Sequence, residues 1–318
     1  MTLSLSRVGV CGVERVIRVS GPDLRHPQLY SARLDCVIHL GPEQRDTPRS
    51  SFEEGVNEAI GEVVIGEVAF RAEELAQHIA ERLRAGHGAP HAEVALHARY
   101  PERKPAPVSG IPTQEIYTLH ASAVASEHGT RRMVGVEAQA MTASPATQRL
   151  VAGAARERLA ARGFGDRRIE RILATVPVAA TSERGFGTLQ IGCPEDSDAD
   201  IDAAALLEIV EGAMSSEIYE LLKRSDEGAI VEKAHRDPRY VEDCVRAMVG
   251  AALEHYDHLP DHGFVSARQQ NLATLHQHDV VVERFGLLGE LRAERHSGAP
   301  AARHTSAREW LDAAGAAP

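Results

Sequence analysis

The sequence predicts an α+β fold with mainly antiparallel pairing, and three observations carry that reading. Strand-like alternation comes in adjacent pairs, at Arg7–Ser20 with Leu29–Leu40 and at Ile116–Ala125 with Arg132–Met141. One or two amphipathic helical stretches follow each pair, and each half then returns to strand. The shared rhythm divides the chain near residue 110. It gives a first module at 1–110, a second at 111–284 and one structural unit made of both.

Taken in order, RVGVCGVERVIRVS at 7–20 reads as a strand bent at Gly9 or Gly12. In LYSARLDCVIHL, Leu34, Cys36 and Ile38 alternate with Arg33, Asp35 and His39. Gly41–Ser51 is a charged loop, and beyond it the β-branched run at 63–65 interrupts a helical pattern. Phe70–Ala85 is a helix with Leu75, Ile79 and Leu83 on one face, ended by the GHGAP at 86–90. His91–Tyr100 is a strand. The prolines of PERKPAPVSG (101–110) are expected to keep that segment out of a sheet.

The hairpin at 116–141 turns at Glu127–Thr130, and a helical connection covers Pro145–Leu173, divided at Gly163–Gly165. Thr188–Cys193 is a strand, and the acidic turn Glu195–Asp202 favours a helix N-terminus. A helix expected from about Leu206 runs on through Leu221, then a second helix follows. Strands are expected at Gly263–Arg268 and Thr274–Arg284. The Gly-, Ala- and Pro-rich 285–318 reads as a flexible tail holding one short helix, where Ser306 and Glu309 have capping-box spacing.

Composition narrows the function classes. A net charge of −11 argues against a nucleic-acid backbone or an anionic membrane as the main partner, although a local basic cluster can still hold a small anion. Four cysteines at 11, 36, 193 and 244 form no CxxC pattern. With no signal-like start and no long apolar run, a reduced, cytoplasmic protein is expected.

The candidate chemistry lies in the last third. On a helical wheel Glu217 falls inside the apolar sector of Leu206, Val210, Met214 and Leu221. A carboxylate there needs a cation, a metal or several donors, so it is either a structural ion pair or a pocket acid. His276 and His278, two apart, share a face on a strand and suit metal binding or proton transfer; two hydrogen-bonded surface histidines are the plainer alternative. Lys223, Arg224, Lys233, Arg236 and Arg239 form the densest basic group, mostly solvated, with one or two able to meet a phosphate. Phosphate loops, HExxH and nucleophile elbows are missing.

The run SSEIYELLKRSDEGAIVEKAHRDPRYVEDCVR at 215–246, with QQNLATLHQHD, RVGVCGVERV and APVSG, resembles type IB GTP cyclohydrolases. It is most similar to their archaeal MptA-type branch. The resemblance runs with gaps from about Ser6 to Arg284. It implies the tunnelling fold (T-fold): two tandem modules of antiparallel sheet backed by helices, assembled into homo-oligomers with active sites between subunits. It also implies a purine or pterin-like ligand and a divalent metal, iron(II) or zinc, activating water to attack C8 of guanine. Glu217 matches the carboxylate near the metal, and Glu232 the glutamate gripping the guanine edge. His276 and His278 match the C-terminal His-x-His, the first being the metal ligand or acid–base group. Arg184 and Lys223 are the substrate-binding cations.

The departures are specific. Ser144 stands where relatives carry the Cys ligand, Thr181 where they carry the His ligand, and Ala273 where they carry a glutamate. Glu217 and His276 alone fall short of the three protein ligands of a catalytic site, unless Glu183 rearranges to help. A metal-independent or rearranged site is therefore expected. Three readings stay open: a cyclohydrolase with a changed site, a repurposed enzyme acting hydrolytically on a related heterocycle, and a non-catalytic ligand-binding protein.

Overall fold

The computed structural model describes residues 3–19, 28–42, 54–55, 57–58, 71–194, 197, 201–301 and 303–313. Nine strands form one antiparallel sheet in the order β1 (Leu5–Val19), β2 (Gln28–Leu40), β3 (His91–Pro105), β4 (Pro112–Ser126), β5 (Thr130–Ala143), β6 (Ser182–Cys193), β8 (Phe264–Leu272) and β9 (Val280–Leu287). The two-residue β7, Ser216–Glu217, pairs with β5 off this path. The expected module boundary near 110 falls at the tip of the β3–β4 hairpin, so both halves share one continuous sheet.

One face of the sheet carries the core. Inward residues Leu34, Cys36, Ile38, Val94, Leu96, Ala121, Ala123 and Val136 pack against helix α1 (Ala72–His87) through Leu75, Ile79 and Leu83. Small alanines on β4 let α1 approach closely, and each fully buried leucine or isoleucine contributes about 1.5–3 kcal/mol. The second half is covered by α4 (Ala203–Gly212) and α6 (Val241–His255). The intervening helices are α2 (Pro145–Ala161) and α3 (Asp166–Thr175), divided at Gly163–Gly165 as expected, and α5 (Arg224–Arg236). The bend in β1 is at Gly12, where φ is +72° and the register shifts; its N–H donates to Asp35 Oδ1 at 2.6 Å. Gly9 serves a different need, since a Cβ there would lie 2.0 Å from the Cys36 carbonyl oxygen.

Four segments differ from their expected form. The proline-rich 101–105 does enter the sheet, pairing with β4 as far as Pro105 opposite Pro112. β2 pairs with β3 only between Ala92 and Ala98, so beyond Ala98 the outer edge of β3 is free and a missing N–H costs nothing there. The helix expected through Leu221 stops at Gly212. Arg239 Nη1 donates to the Gly212 and Ala213 carbonyls at 3.1 and 3.0 Å, closing the helix end. Ser216 and Glu217 then pair with Met141 and Ala140, where β4 has left the edge of β5 vacant. His276 and His278 lie in the exposed β8–β9 turn rather than on a strand, because β9 begins only at Val280.

The fourth difference is the C-terminal segment. It continues as α7 (Leu288–Ser297) and α8 (Ala307–Asp312), and α8 shows the Ser306–Glu309 capping box. Trp310 of α8 is buried on the face opposite α1, stacked on Phe264 with ring centroids 5.6 Å apart. Its Nε1 donates to the His262 carbonyl at 2.8 Å. A Cβ on Gly192 would sit 2.6 Å from the indole, so this position holds only a glycine without displacing the tryptophan. The possible helix in 51–69 lies largely outside the described residues.

Candidate functional site

One end of the sheet gathers the residues singled out above. The end of β5 delivers Thr142 and Ser144, the start of β6 delivers Thr181, Glu183 and Arg184, and β7 delivers Glu217. The turn after β8 is tied to the same end where Thr274 Oγ1 donates to the Ser182 carbonyl at 3.4 Å. α5 docks beside them, with the His235 carbonyl accepting from Gln148 Nε2 at 2.6 Å.

Glu217 has its counter-charge. Lys233 Nζ of α5 donates to Glu217 Oε2 at 2.5 Å. Burial alone would raise this carboxyl. The Lys233 ammonium, its own backbone N–H and the more distant Lys104 overcome that and hold it below the ordinary carboxylate range. The adjacent Glu232 is exposed on α5 and accepts from Arg236 Nε, one helical turn on, at 2.8 Å. Lys223 is exposed just before α5, and Arg184 is exposed on β6. His276 and His278 stack with centroids 5.1 Å apart and make no hydrogen bond to a described residue.

Ser144 and Thr181, the positions at which the resemblance implies metal ligands, have local structural work. The Ser144 N–H donates to the Thr181 carbonyl at 2.9 Å, so the residues are neighbours. Ser144 is the N-cap of α2, its Oγ accepting from Thr147 N at 3.4 Å. Thr147 Oγ1 in turn accepts from the Thr181 N–H at 2.9 Å. Glu183 does not turn toward Glu217; its Oε2 accepts from Asn271 Nδ2 at 3.1 Å. Among the described residues, the group of three or more metal-type side chains with mutually close ligand atoms is His39, His91 and Glu93, far along the sheet from Glu217 in strand order.

Two networks under the site are not evident from motif reading. Gln269 and Asn271, both buried on β8, link Met214 Sδ, Thr142 Oγ1 and Glu183 through bonds of 3.3, 2.6 and 3.1 Å. Gly185 leaves them room, since a Cβ there would come within 2.3 Å of Gln269 Nε2. The available signal is two amides two residues apart on the inward side of a strand. The second network is centred on Asp226 in the first turn of α5, which accepts from the N–H groups of Val108, Ser109 and Lys223 at 2.8–2.9 Å and from Ser109 Oγ at 2.7 Å. These donors overcome burial and hold the Asp226 carboxyl well below its ordinary range. The APVSG loop is thereby fastened to the helix that carries Glu232 and Lys233.

The family described as type I GTP cyclohydrolase folE2 matches residues 1–282. GTP cyclohydrolase MptA 1 of Methanocella arvoryzae is 33% identical over 300 residues, 94% of each chain. GTP cyclohydrolase MptA of Haloferax volcanii is 36% identical over 298 residues, covering 92% of this chain and 94% of its own. Among solved structures, a hyper-thermostable AgUricase variant superposes with a TM-score of 0.50 at 10% identity, over 90% of this chain and 93% of that one. That likeness is one of fold, and it agrees with the tunnelling fold that the sequence resemblance implies. No helix among the described residues is long and apolar enough to cross a membrane. With a match that runs from β1 into β9 and relatives aligned over nearly their full lengths, the chain belongs to the type I GTP cyclohydrolase family of the folE2 kind.

Proposed function

We propose that the chain is a GTP-cyclohydrolase-like hydrolase that holds a purine or pterin-type heterocycle through Glu232 and acts on it without a metal at the family's position. One observation carries the metal-independent part: the Glu217 carboxylate is neutralised by Lys233 at 2.5 Å. The donor chemistry agrees, because the Ser144 and Thr181 hydroxyls are poor ligands and Ser144 is engaged as a helix cap. The residues present do not fit a three-ligand catalytic metal, and no step is routed through one.

Hydrolysis of a cyclic amidine needs water added to a C=N carbon, a base for the water proton and an acid for the ring nitrogen. Ionised Glu217, paired with Lys233, is an acceptor that orients or deprotonates water. Imidazoles are the usual proton carriers, which gives His276 or His278 the complementary role. Glu232 offers two oxygens to an amidine edge once Arg236 turns aside, and Lys223 and Arg184 offer positive charge to phosphate. All five of these outer groups are exposed. That exposure supports a homo-oligomer in which a second copy closes the pocket.

A second reading, a non-catalytic ligand-binding protein, is favoured by the absence of hydrogen bonds from His276 and His278 to described residues. Calorimetry with GTP and guanosine and a turnover assay on chelator-treated protein separate the readings. Under the proposal Glu232→Ala abolishes purine binding, by at least about 100-fold for a lost bidentate charged contact. Turnover survives the chelator. Undiminished binding by Glu232→Ala would show the anchor to be misplaced. Activity that disappears with chelator and returns with iron(II) would overturn the metal-independent step, and binding without turnover would leave the second reading.

A further inference from the structure

Far from that pocket in strand order, the face of the sheet opposite α1, where α8 lies, holds a cluster of a different kind. His39 of β2 and His91 of β3 stack their rings with centroids 4.1 Å apart and planes 20° apart. Both Nε2 atoms are buried, and neither has a hydrogen-bond partner among the described residues. They face one carboxylate oxygen, Glu93 Oε1, at 3.7 Å from His39 and 3.5 Å from His91. The other oxygen, Oε2, is already taken by Arg7 Nη1 at 2.5 Å. A second carboxylate arrives from the C-terminal helix, with Asp312 Oδ1 3.8 Å from His91 Nε2.

We propose that His39, His91 and Glu93, closed by Asp312, form a binding site for a divalent transition metal of the zinc type. The ion fastens the C-terminal helix to the sheet. The donor set, two imidazole nitrogens and carboxylate oxygens, is one zinc accepts, at about 2.0–2.2 Å. Ligand atoms around a tetrahedral ion of that size stand about 3.3 Å apart. The edges of 3.5, 3.7 and 3.8 Å therefore close by tenths of an ångström, and all three atoms of the core group lie within 4.8 Å of one another. One ring of the stacked pair turns about its Cβ–Cγ bond so that both Nε2 lone pairs converge on the ion.

The electrostatics agree. Ligating imidazoles must be neutral, and burial together with the neighbouring His91 lowers the His39 pKa, with Glu93 and Asp312 opposing. Glu93 is held below the ordinary carboxylate range by His91, against burial, and by Arg7 and Arg308. Among the described residues, the competing cation close to the open oxygen is Arg308, 3.9 Å from Glu93 Oε1. Its side chain is 62% exposed and leaves at little cost. Without an ion, two buried nitrogens face a carboxylate at distances beyond a good hydrogen bond, a cost of about 1–3 kcal/mol for each unsatisfied group.

The test is zinc titration by calorimetry on the untagged, chelator-stripped full chain, with a thermal melt as second readout. One equivalent binds, and zinc raises the Tm of the wild-type chain. His91→Gln and Glu93→Gln each weaken binding by about 100-fold and abolish the Tm rise, whereas Asp312→Asn, on an exposed helix end that tolerates it, weakens binding about 10-fold. Glu217→Gln and His276→Gln leave zinc binding unchanged, which separates this site from the family's pocket. The proposal fails if the stripped chain binds no zinc, which leaves an ordered water as the bridge. It fails equally if binding survives both His91→Gln and Glu93→Gln, or is lost with Glu217→Gln.

Discussion

Glu217 and Glu93 are both partly buried carboxylates on the same sheet, and they differ in who neutralises them. Glu217 has one dedicated ammonium, and beside it the Ser144 hydroxyl is spent as the cap of α2 while the Thr181 backbone N–H is held by the Thr147 hydroxyl. Glu93 gives one oxygen to Arg7 and keeps the other facing two imidazole Nε2 atoms that have no hydrogen-bond partner among the described residues. A site is ready for an ion when its donors are gathered and unspent, wherever in the family's scheme it lies.

The sharpest way to break that contrast is to restore the spent donors. Ser144→Cys together with Thr181→His should add a second bound metal equivalent per chain, an affinity gain of at least about 100-fold at the Glu217 end, measured by calorimetry on stripped protein. No second equivalent would mean that the end of β5 and the start of β6 no longer frame a metal-sized space.

A carboxylate with no dedicated cation supplies the next comparison. Glu73, in the first turn of α1, is pushed from 4.5 up to about 7, chiefly by burial. Between those two values the folded chain holds a proton that the unfolded chain has released. Stability therefore falls as pH rises across that window, by up to about 3 kcal/mol. Glu73→Gln removes the loss, so its denaturation midpoint should exceed that of the wild type at pH 8 and match it at pH 4. Parallel pH curves for the two proteins would refute the assignment.

Removing the ammonium has the smallest expected effect. Lys233→Met leaves Glu217 with burial and no cation, and because the lysine is half exposed the cost is about 1 kcal/mol at pH 7. Glu217 sits below its ordinary value when folded. Its contribution is thus present above the unfolded pKa, about 4.3, and is lost as pH falls through the folded one. The two proteins should converge in urea denaturation at pH 3. A gap that persists there would point to lost packing of the lysine stem instead.

Much of the fold was legible because it is written in period-two alternation. The strands of Leu29–Leu40, His91–Tyr100 and Ile116–Met141 and the α1 face follow from where apolar residues recur. The helix through Glu217 was misread for a physical reason. Ala213 and Met214 are buried as an end turn, so they mimic a continuing stripe, while Leu221 is 53% exposed. What stops the helix is Arg239, more than twenty residues on, together with a vacant strand edge, and neither has a local signature. The prolines at 101 and 105 misled similarly, since which edge of a strand is free is a property of the sheet. Lys233 as the partner of Glu217 and Asp312 beside His91 are contacts between distant segments, beyond the reach of spacing within one motif.

Adjacent strands of this sheet are mostly adjacent in sequence; the exceptions are the short β5–β7 pair and the long β6–β8 pair. β6 and β8 pair along their lengths although the described chain between Cys193 and Phe264 joins the sheet as a strand only through the short β7. That excursion carries α4, β7, α5 and α6, and with them Glu217, Glu232 and Lys233. Closing a loop of that size costs only about 0.6 kcal/mol more per doubling of length. The segment is therefore an inset whose length is cheap to change, while its helices α4 and α6 still cover the core of the second half. Amide hydrogen exchange should report it as a cooperative unit that opens before the ladder between β3 and β4 does. Such an arrangement lets the inset change in sequence while the surrounding strands keep their pairing.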